Sequence, residues 1–223
     1  MMIKNNIEIT AYKHIIFDWN GTLLDDLWLA VEVIDKMLQK RGIGTMTEDR
    51  YRNIFDFPVS EYYRKIGFDF DKESFEKVGT EFIDEYNKRQ YECRLHKGAK
   101  ELLEFLKENN ITTSILSARL KDSLIQNLEY YGIIDYFTEV AGLDDHYANG
   151  KNEAGKKLIE NSGISPSKTL LIGDTLHDAE VADETGIDCI LISAGHQSEK
   201  RLLTSNKPVF DSICNIFEKS VCN

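Results

Sequence analysis

Cysteine, proline and long apolar runs are scarce in this chain. Its 223 residues include four cysteines and three prolines. The cysteines, at positions 93, 189, 214 and 222, form no CxxC pair, which argues against a zinc knuckle, a redox motif or a disulfide framework. The N-terminal segment lacks an apolar stretch of signal-peptide length, and no run approaches the roughly 20 apolar residues of a membrane helix. These absences predict a soluble, cytoplasmic protein without a membrane partner.

Basic residues are also in deficit. The chain has 27 lysines and arginines against 38 acidic residues, which gives a formal net charge of -11. A protein that binds nucleic acid usually presents a basic face, so this balance argues against a nucleic-acid partner. Low-complexity stretches and internal repeats are missing as well. The remaining expectation is a globular protein, as a monomer or a homodimer.

Short buried-looking runs recur along the chain with helical patterns between most of them. Such runs, bounded by polar residues or glycine, are typical of strands buried on both faces of a parallel sheet. The alternation predicts an α/β protein with a doubly wound parallel sheet. The five predicted strands are HIIF (14–17), TTSIL (112–116), FTEVAG (137–142), TLLIG (169–173) and CILIS (189–193).

One interval breaks this alternation. Between residues 26 and 94 the sequence shows amphipathic helical segments and no convincing buried strand. We therefore predict an α/β core domain from residues 1–25 and 95–223, and a small helical cap domain from residues 26–94. The cap begins just after the first strand, at the sheet edge where open α/β sheets bind ligands. It is thus placed to cover a site at that edge.

Polar residues follow the predicted strands at their carboxyl ends. These are Asp18, Ser117, Lys151, Asp174 and Asp178. The topology would bring them together, and three carboxylates at one edge would repel each other unless a cation lay between them. Carboxylate oxygens in a partly wet site suit Mg²⁺. A carboxylate not fully used by the metal can attack phosphorus, so the pattern predicts phosphoryl transfer.

Four segments of the sequence resemble the motifs of the haloacid dehalogenase-like (HAD) hydrolase superfamily. They are FDWNGTLLDD, ILSAR, NGK and GDTLHDAEVADETG, in that order along the chain. The helical insert and the GHQS segment near residue 195 resemble the branch that contains phosphoglycolate phosphatase and β-phosphoglucomutase. This resemblance implies a Rossmann-like core with a helical cap, and a phosphatase acting on a small phosphorylated metabolite.

The resemblance also implies roles for individual residues. Asp18 would be the nucleophile and a Mg²⁺ ligand, with the backbone carbonyl of Asn20 and the carboxylate of Asp174 as further ligands. Asp178 would lie at the metal site, where it orients Lys151 and a water on the metal. The phosphoryl oxygens would be held by Gly21, Thr22, Ser117, the amide of Ala118, and Lys151.

Asn20 departs from the family pattern, which has a second acid at this position. That acid protonates the leaving oxygen and then activates water, and general acid–base help of this kind contributes roughly 10²–10⁴-fold. An amide cannot hand over a proton and recover it. Since the metal would use only the main-chain oxygen of Asn20, metal and substrate binding should persist. The turnover of substrates with poor leaving groups should be lower.

Four interpretations of this departure remain open. Another group could supply the proton, with Asp25, Asp26 and His177 as candidates. The substrate could have a good leaving group, as acyl phosphates and phosphoanhydrides do. The protein could cleave phosphonates through a cap lysine, for which the candidates are Lys36, Lys40 and Lys65. It could also be a weak or inactive enzyme that binds phosphorylated ligands.

Overall fold

The computed structural model describes residues 7–143 and 150–216. Parts of the predicted core domain, at 1–6, 144–149 and 217–223, lie outside the described residues. Eight strands are present within this part of the chain, and they are β1 (His14–Phe17), β2 (Leu24–Asp25), β3 (Arg94–Leu95), β4 (Thr112–Leu120), β5 (Phe137–Leu143), β6 (Thr169–Gly173), β7 (Asp188–Ile192) and β8 (Val209–Phe210).

Six of these strands form one parallel sheet in the order β5-β4-β1-β6-β7-β8. The central strand β1 pairs with β4 on one side and with β6 on the other. Phe17 lies opposite Ile115 and Ile172, so the three strands reach the same edge together. The predicted parallel sheet is confirmed, and this edge is where the polar residues at the strand ends meet.

The described part of the chain contains nine α-helices, of which the first four belong to the insert. They are α1 (Leu27–Arg41), α2 (Glu48–Ile54), α3 (Val59–Ile66), α4 (Phe75–Arg89), α5 (Ala99–Glu108), α6 (Lys121–Tyr130), α7 (Lys151–Ser162), α8 (Leu176–Thr185) and α9 (Glu199–Leu202). Ile15 and Phe17 of β1 belong to the apolar cluster that includes Leu102 of α5. Ile16 belongs to a second cluster with Leu158 of α7. Because successive residues of β1 face opposite layers of helices, the sheet is doubly wound.

The insert between β2 and β3 contains α1 to α4, as the helical patterns predict. Apolar side chains such as Val33, Tyr63 and Val78 are buried within it. Arg41 binds Glu73 and Glu81 on its surface. Two features were not predicted, the short helix α2 and the antiparallel ladder that joins β2 to β3. The exact boundaries of the two domains stay a prediction.

The sequence argued against a disulfide framework, and one cysteine departs from that prediction. Cys93 and Cys189 are buried free thiols, whereas Cys214 is disulfide-bonded.

None of the helices in the described part of the chain is long and apolar enough to cross a bilayer.

Candidate active site

Four charged side chains from three separate segments meet at the edge of the sheet. We call Asp18, Lys151, Asp174 and Asp178 the floor of the site. Asp18 follows β1, Asp174 follows β6, and Lys151 is the first residue of α7. The ammonium of Lys151 lies 2.5 Å from Oδ1 of Asp18 and 2.6 Å from Oδ1 of Asp178. The sequence prediction that these residues converge agrees with this geometry.

Asp178 is held in place by the start of α8. Its Oδ2 accepts hydrogen bonds from the backbone amides of Asp174 and Thr175 and from the Thr175 hydroxyl, at 3.2, 3.0 and 2.7 Å. Thr175 and Asp178 thereby form the capping box of this helix. Burial opposes ionisation of Asp178, but the charge of Lys151 and these hydrogen bonds outweigh it and lower its pKa. Asp178 is thus a fixed anion that orients Lys151.

Asp174 is surrounded just as closely. Its Oδ1 accepts from the Thr22 hydroxyl at 3.0 Å, and its Oδ2 accepts from the amide of His196 at 2.6 Å. Gly21 and Gly195 make this approach possible, since a Cβ at either position would lie 2.2 Å from Oδ2 of Asp174. Gly21 also has a φ of +75°, which favours glycine. The glycine in the motif therefore makes room for the carboxylate besides forming the turn.

The floor carries an excess of negative charge. Ligand oxygens of Asp18, Asp174 and Asp178 all lie within 4.8 Å of one another, and all three residues are buried. Lys151 is the cation that lies between them. Burial, together with the neighbouring carboxylates, raises the pKa of Asp18 to about 8 and that of Asp174 to about 6, although Lys151 and His196 oppose the shift. An oxygen-rich cluster with this charge excess fits a divalent cation such as Mg²⁺.

Some of the residues predicted to hold a phosphoryl group line a cavity in the structure, and others do not. Ser117 and Ala118 line a cavity above the floor, together with Asp18, Lys151 and Asp174. Gly21 and Thr22 do not line it, and the Thr22 hydroxyl is engaged by Asp174 instead. Ser117 Oγ accepts a hydrogen bond from the amide of Arg119 at 3.2 Å, which orients the hydroxyl.

Asn20 lines the same cavity and its amide is fully engaged. Its Nδ2 donates to Oδ2 of Asp26 at 2.8 Å and to the Tyr86 hydroxyl at 2.9 Å. The Tyr86 hydroxyl in turn donates to Oδ2 of Asp26 at 2.7 Å. Because an ionised carboxylate only accepts hydrogen bonds, Asp26 requires the NH₂ group of Asn20 to face it. The NH₂ group of Asn20 is therefore turned toward Asp26 and Tyr86.

Asp26 and His196 form a buried pair that sequence analysis did not assign. His196 Nε2 lies 3.2 Å from Oδ1 of Asp26, and its Nδ1 lies 3.1 Å from the Tyr51 hydroxyl. Burial opposes charge on both groups, but their mutual attraction prevails. It lowers the pKa of Asp26 and raises that of His196 to about 9. The sequence suggested Asp26 only as a possible proton donor. Its lowered pKa instead makes it a fixed anion that positions Asn20.

Other candidates from the sequence lie away from the cavity. His177 lies 3.2 Å from Glu180, and Asp25 is exposed in β2. The cap lysines are exposed too, and Lys40 pairs with Glu81 at 2.7 Å. Within the described residues, none of these side chains lines the cavity, and the same holds for Lys36 and Lys65. A Schiff-base mechanism through a cap lysine therefore has no support from the geometry.

The cavity above the floor has a volume of about 330 Å³. The helical insert supplies most of its lining, and aromatic rings dominate. We call the side chains of Tyr51, Phe55, Phe57, Tyr62, Phe82 and Tyr86 the wall. The rings pack edge-on or stacked, with Tyr51 and Phe55 stacked at 4.9 Å between centroids. The site thus combines a charged floor from the α/β core with an aromatic wall from the insert.

Comparison with known proteins matches this architecture. Residues 15–192 match the family model for haloacid dehalogenase-like hydrolases. A 5'-nucleotidase from Pseudomonas aeruginosa is 26% identical over 198 residues, covering 86% of this chain and 87% of the relative. A phosphoglycolate phosphatase from Vibrio parahaemolyticus is 26% identical over 216 residues, covering 92% and 95%. The crystal structure of a haloacid dehalogenase-like family hydrolase from Streptococcus pneumoniae superposes with a TM-score of 0.76 at 21% identity, covering 90% and 93%.

Proposed function

The chain belongs to the haloacid dehalogenase-like hydrolase family, and from this premise we propose that it is a magnesium-dependent phosphatase. Its substrate is a small phosphorylated metabolite, and the reaction passes through an aspartyl-phosphate on Asp18. The observation that carries the proposal is the ammonium of Lys151 held between Asp18 and Asp178 beneath the cavity. Relatives that act on phosphate esters support the same reaction class.

Asp18 has the attributes of a nucleophile in this arrangement. Its Oδ1 is held by Lys151, and among the described residues its Oδ2 accepts no hydrogen bond. Asp18 would attack phosphorus with a carboxylate oxygen, and the bond from phosphorus to the leaving oxygen would break. Water would then attack phosphorus, break the bond to Asp18, and release inorganic phosphate, whose oxygens take up the proton. Lys151, the Ser117 hydroxyl and the Ala118 amide would hold the transferring oxygens.

The cation would be held by the carboxylates of Asp18 and Asp174 and by the main-chain oxygen of Asn20. A bound Mg²⁺ would balance the charge on the phosphoryl oxygens and align the phosphate with Asp18. Asp178 fits a different role, because both of its oxygens already accept hydrogen bonds or the Lys151 ammonium. We assign Asp178 to the orientation of Lys151.

The test is turnover of a panel of phosphate esters, including acetyl phosphate, with Mg²⁺ and with EDTA. We expect release of phosphate that EDTA abolishes. Because Asn20 cannot take a proton from water, hydrolysis of the phosphoenzyme should be slow. Acid-quenched protein should therefore carry one phosphoryl group on the peptide that contains Asp18, as measured by mass spectrometry. Phosphate binding without turnover or phosphoenzyme would instead identify an inactive binding protein.

A further inference from the structure

We propose that the substrate is the phosphate monoester of a phenol, with one aromatic ring on the bridging oxygen. This inference rests on the proposed phosphatase function and narrows its substrate class. Two independent features of the structure lead to it. One is the aromatic wall, and the other is the committed amide of Asn20.

The wall offers contact surface to a flat apolar group. Phe55 and Phe82 are only half-buried where they line the cavity, so a ring placed against them would remove apolar surface from water. Aromatic pairs add about 0.5–1.5 kcal/mol beyond the burial of area. An apolar cavity of roughly 150 Å³ accepts a benzene ring. The observed 330 Å³ therefore has room for one ring and a phosphate.

The cap side of the cavity provides no cation for an acidic leaving group. From residues 26–94, which the structure describes in full, the charged residue that lines the cavity is the acid Asp26. Arg119 and His196 line it from the core side. His196 is paired with Asp26, and the guanidinium of Arg119 lies over the Tyr86 ring at 5.4 Å from its centroid. A small anionic group such as a glycolate would leave the aromatic wall without contact. The aromatic wall thus favours an apolar leaving group.

Asn20 explains why that group should be a phenol and not an aliphatic alcohol. Its amide nitrogen donates to Asp26 and Tyr86, and an amide has no proton to transfer. The leaving oxygen must depart with its electron pair as an anion and take a proton from bulk water afterwards. A phenol has a pKa of about 10, whereas water, like an aliphatic alcohol, lies near 16. A phenolate can leave unassisted, and an alkoxide cannot.

Four substrates separate the two features of the proposal. Phenyl phosphate has the ring and the good leaving group, and benzyl phosphate has the ring with an alcohol leaving group. Acetyl phosphate has a good leaving group without a ring, and phosphoglycolate has neither. With Mg²⁺ we expect the highest kcat/KM for phenyl phosphate. Benzyl phosphate should have a kcat/KM lower by about 10²-fold or more, since its leaving group departs as an alkoxide.

Variants test each feature by itself. Asn20→Asp should raise kcat/KM for benzyl phosphate by about 10²-fold or more and change kcat/KM for phenyl phosphate less than tenfold, because kcat/KM reports the step in which the leaving oxygen departs. Phe55→Leu and Phe82→Leu remove a ring while keeping an apolar side chain. Each should raise KM for phenyl phosphate about fivefold or more and leave kcat/KM for acetyl phosphate within twofold. Tyr91→Leu is the matched control, since Tyr91 is exposed and outside the cavity.

Binding gives a readout that does not depend on turnover. Phenylphosphonate should bind the Mg²⁺-loaded protein at least tenfold more tightly than methylphosphonate by titration calorimetry, and Phe55→Leu should narrow that gap. Equal affinities, or a preference for phosphoglycolate over phenyl phosphate, would overturn the substrate inference while the phosphatase function stands. If acetyl phosphate and all three esters were inert with Mg²⁺, the proposed function itself would fail, and the substrate inference with it.

Discussion

The floor and the wall of this site differ in chemistry, since the floor is charged and the wall is aromatic. The floor consists of three carboxylates and one ammonium, each buried and held at hydrogen-bond distance by neighbours. The wall consists of aromatic rings that touch each other through apolar faces and edges. Charges in a fixed array suit a reaction in which charge is redistributed, whereas rings suit recognition by shape and surface. We therefore propose that the floor carries out the reaction and that the wall selects the substrate.

The largest effect should come from removing the proposed nucleophile in the floor. Asp18→Asn should lower kcat by about 10³-fold or more for every substrate, because no other carboxylate oxygen replaces its attack. Steady-state phosphate release measures this. Asp25→Asn, which changes an exposed acid in β2, should retain full activity. A substrate-dependent loss in Asp18→Asn would place Asp18 in recognition and so break the division between floor and wall.

The next effect concerns the stability of the floor. Lys151→Met leaves Asp18 and Asp178 buried without their counter-ion, which typically costs about 3–5 kcal/mol. We expect the free energy of unfolding, measured by urea denaturation in EDTA, to fall by that amount. Lys156→Met on the same helix removes an exposed partner of Glu153 and should change stability by less than about 0.5 kcal/mol. Equal losses in both variants would contradict the buried ion-pair account.

His14 shows what burial does to a titratable group when no opposite charge accompanies it, in contrast to Asp178 beside Lys151. It lies at the far end of β1 from Asp18, hydrogen-bonded to Thr112 at 2.7 Å, and burial lowers its pKa from 6.5 to about 4. The unfolded chain binds the proton more tightly, so stability present above pH 6.5 is lost as the pH falls toward 4.

His14→Asn should remove this acid sensitivity. Between pH 7.5 and 4.5 the wild type should lose roughly 2 kcal/mol more unfolding free energy than the variant. Denaturation curves at the two pH values measure the difference. Identical pH dependence in the two proteins would show that His14 has the same pKa in the folded and unfolded chains.

The smallest effect lies where the wall meets the floor. Tyr86→Phe removes a hydroxyl that bonds Asp26 and Asn20, and should cost about 1 kcal/mol of stability. Tyr62→Phe is its matched control, because the Tyr62 hydroxyl is buried with no hydrogen-bond partner among the described residues. Removing that hydroxyl should be neutral or stabilising. Thermal denaturation of both variants checks the sign, and a larger loss in Tyr62→Phe would reverse this assignment.

Much of the floor was predictable from the sequence. Asp18 and Asp174 each follow a short buried run, and parallel strands end at one edge, so their proximity follows from topology. Lys151 was predicted from its place after the third predicted strand, and the motif resemblance gave it the same position. The hydrogen bond of Thr22 to Asp174 was not foreseen, because a hydroxyl beside a phosphate site and one beside a carboxylate look the same in sequence. Asp26 and His196 were missed as a pair because 170 residues separate them and neither lies in a periodic pattern.

The sequence alone determined the parallel sheet, the helical insert and the convergence of the acids. The reason is that the strand patterns, and the order of strands and helices along the chain, can be recognised in the sequence. The tertiary structure decided the rest. It placed Tyr86 and Asp26 against Asn20, left the cap lysines in solvent, and turned aromatic residues from α2, α3 and α4 toward one cavity. Such contacts depend on how helices pack against one another, and side-chain patterns specify that a face is buried without specifying its neighbour.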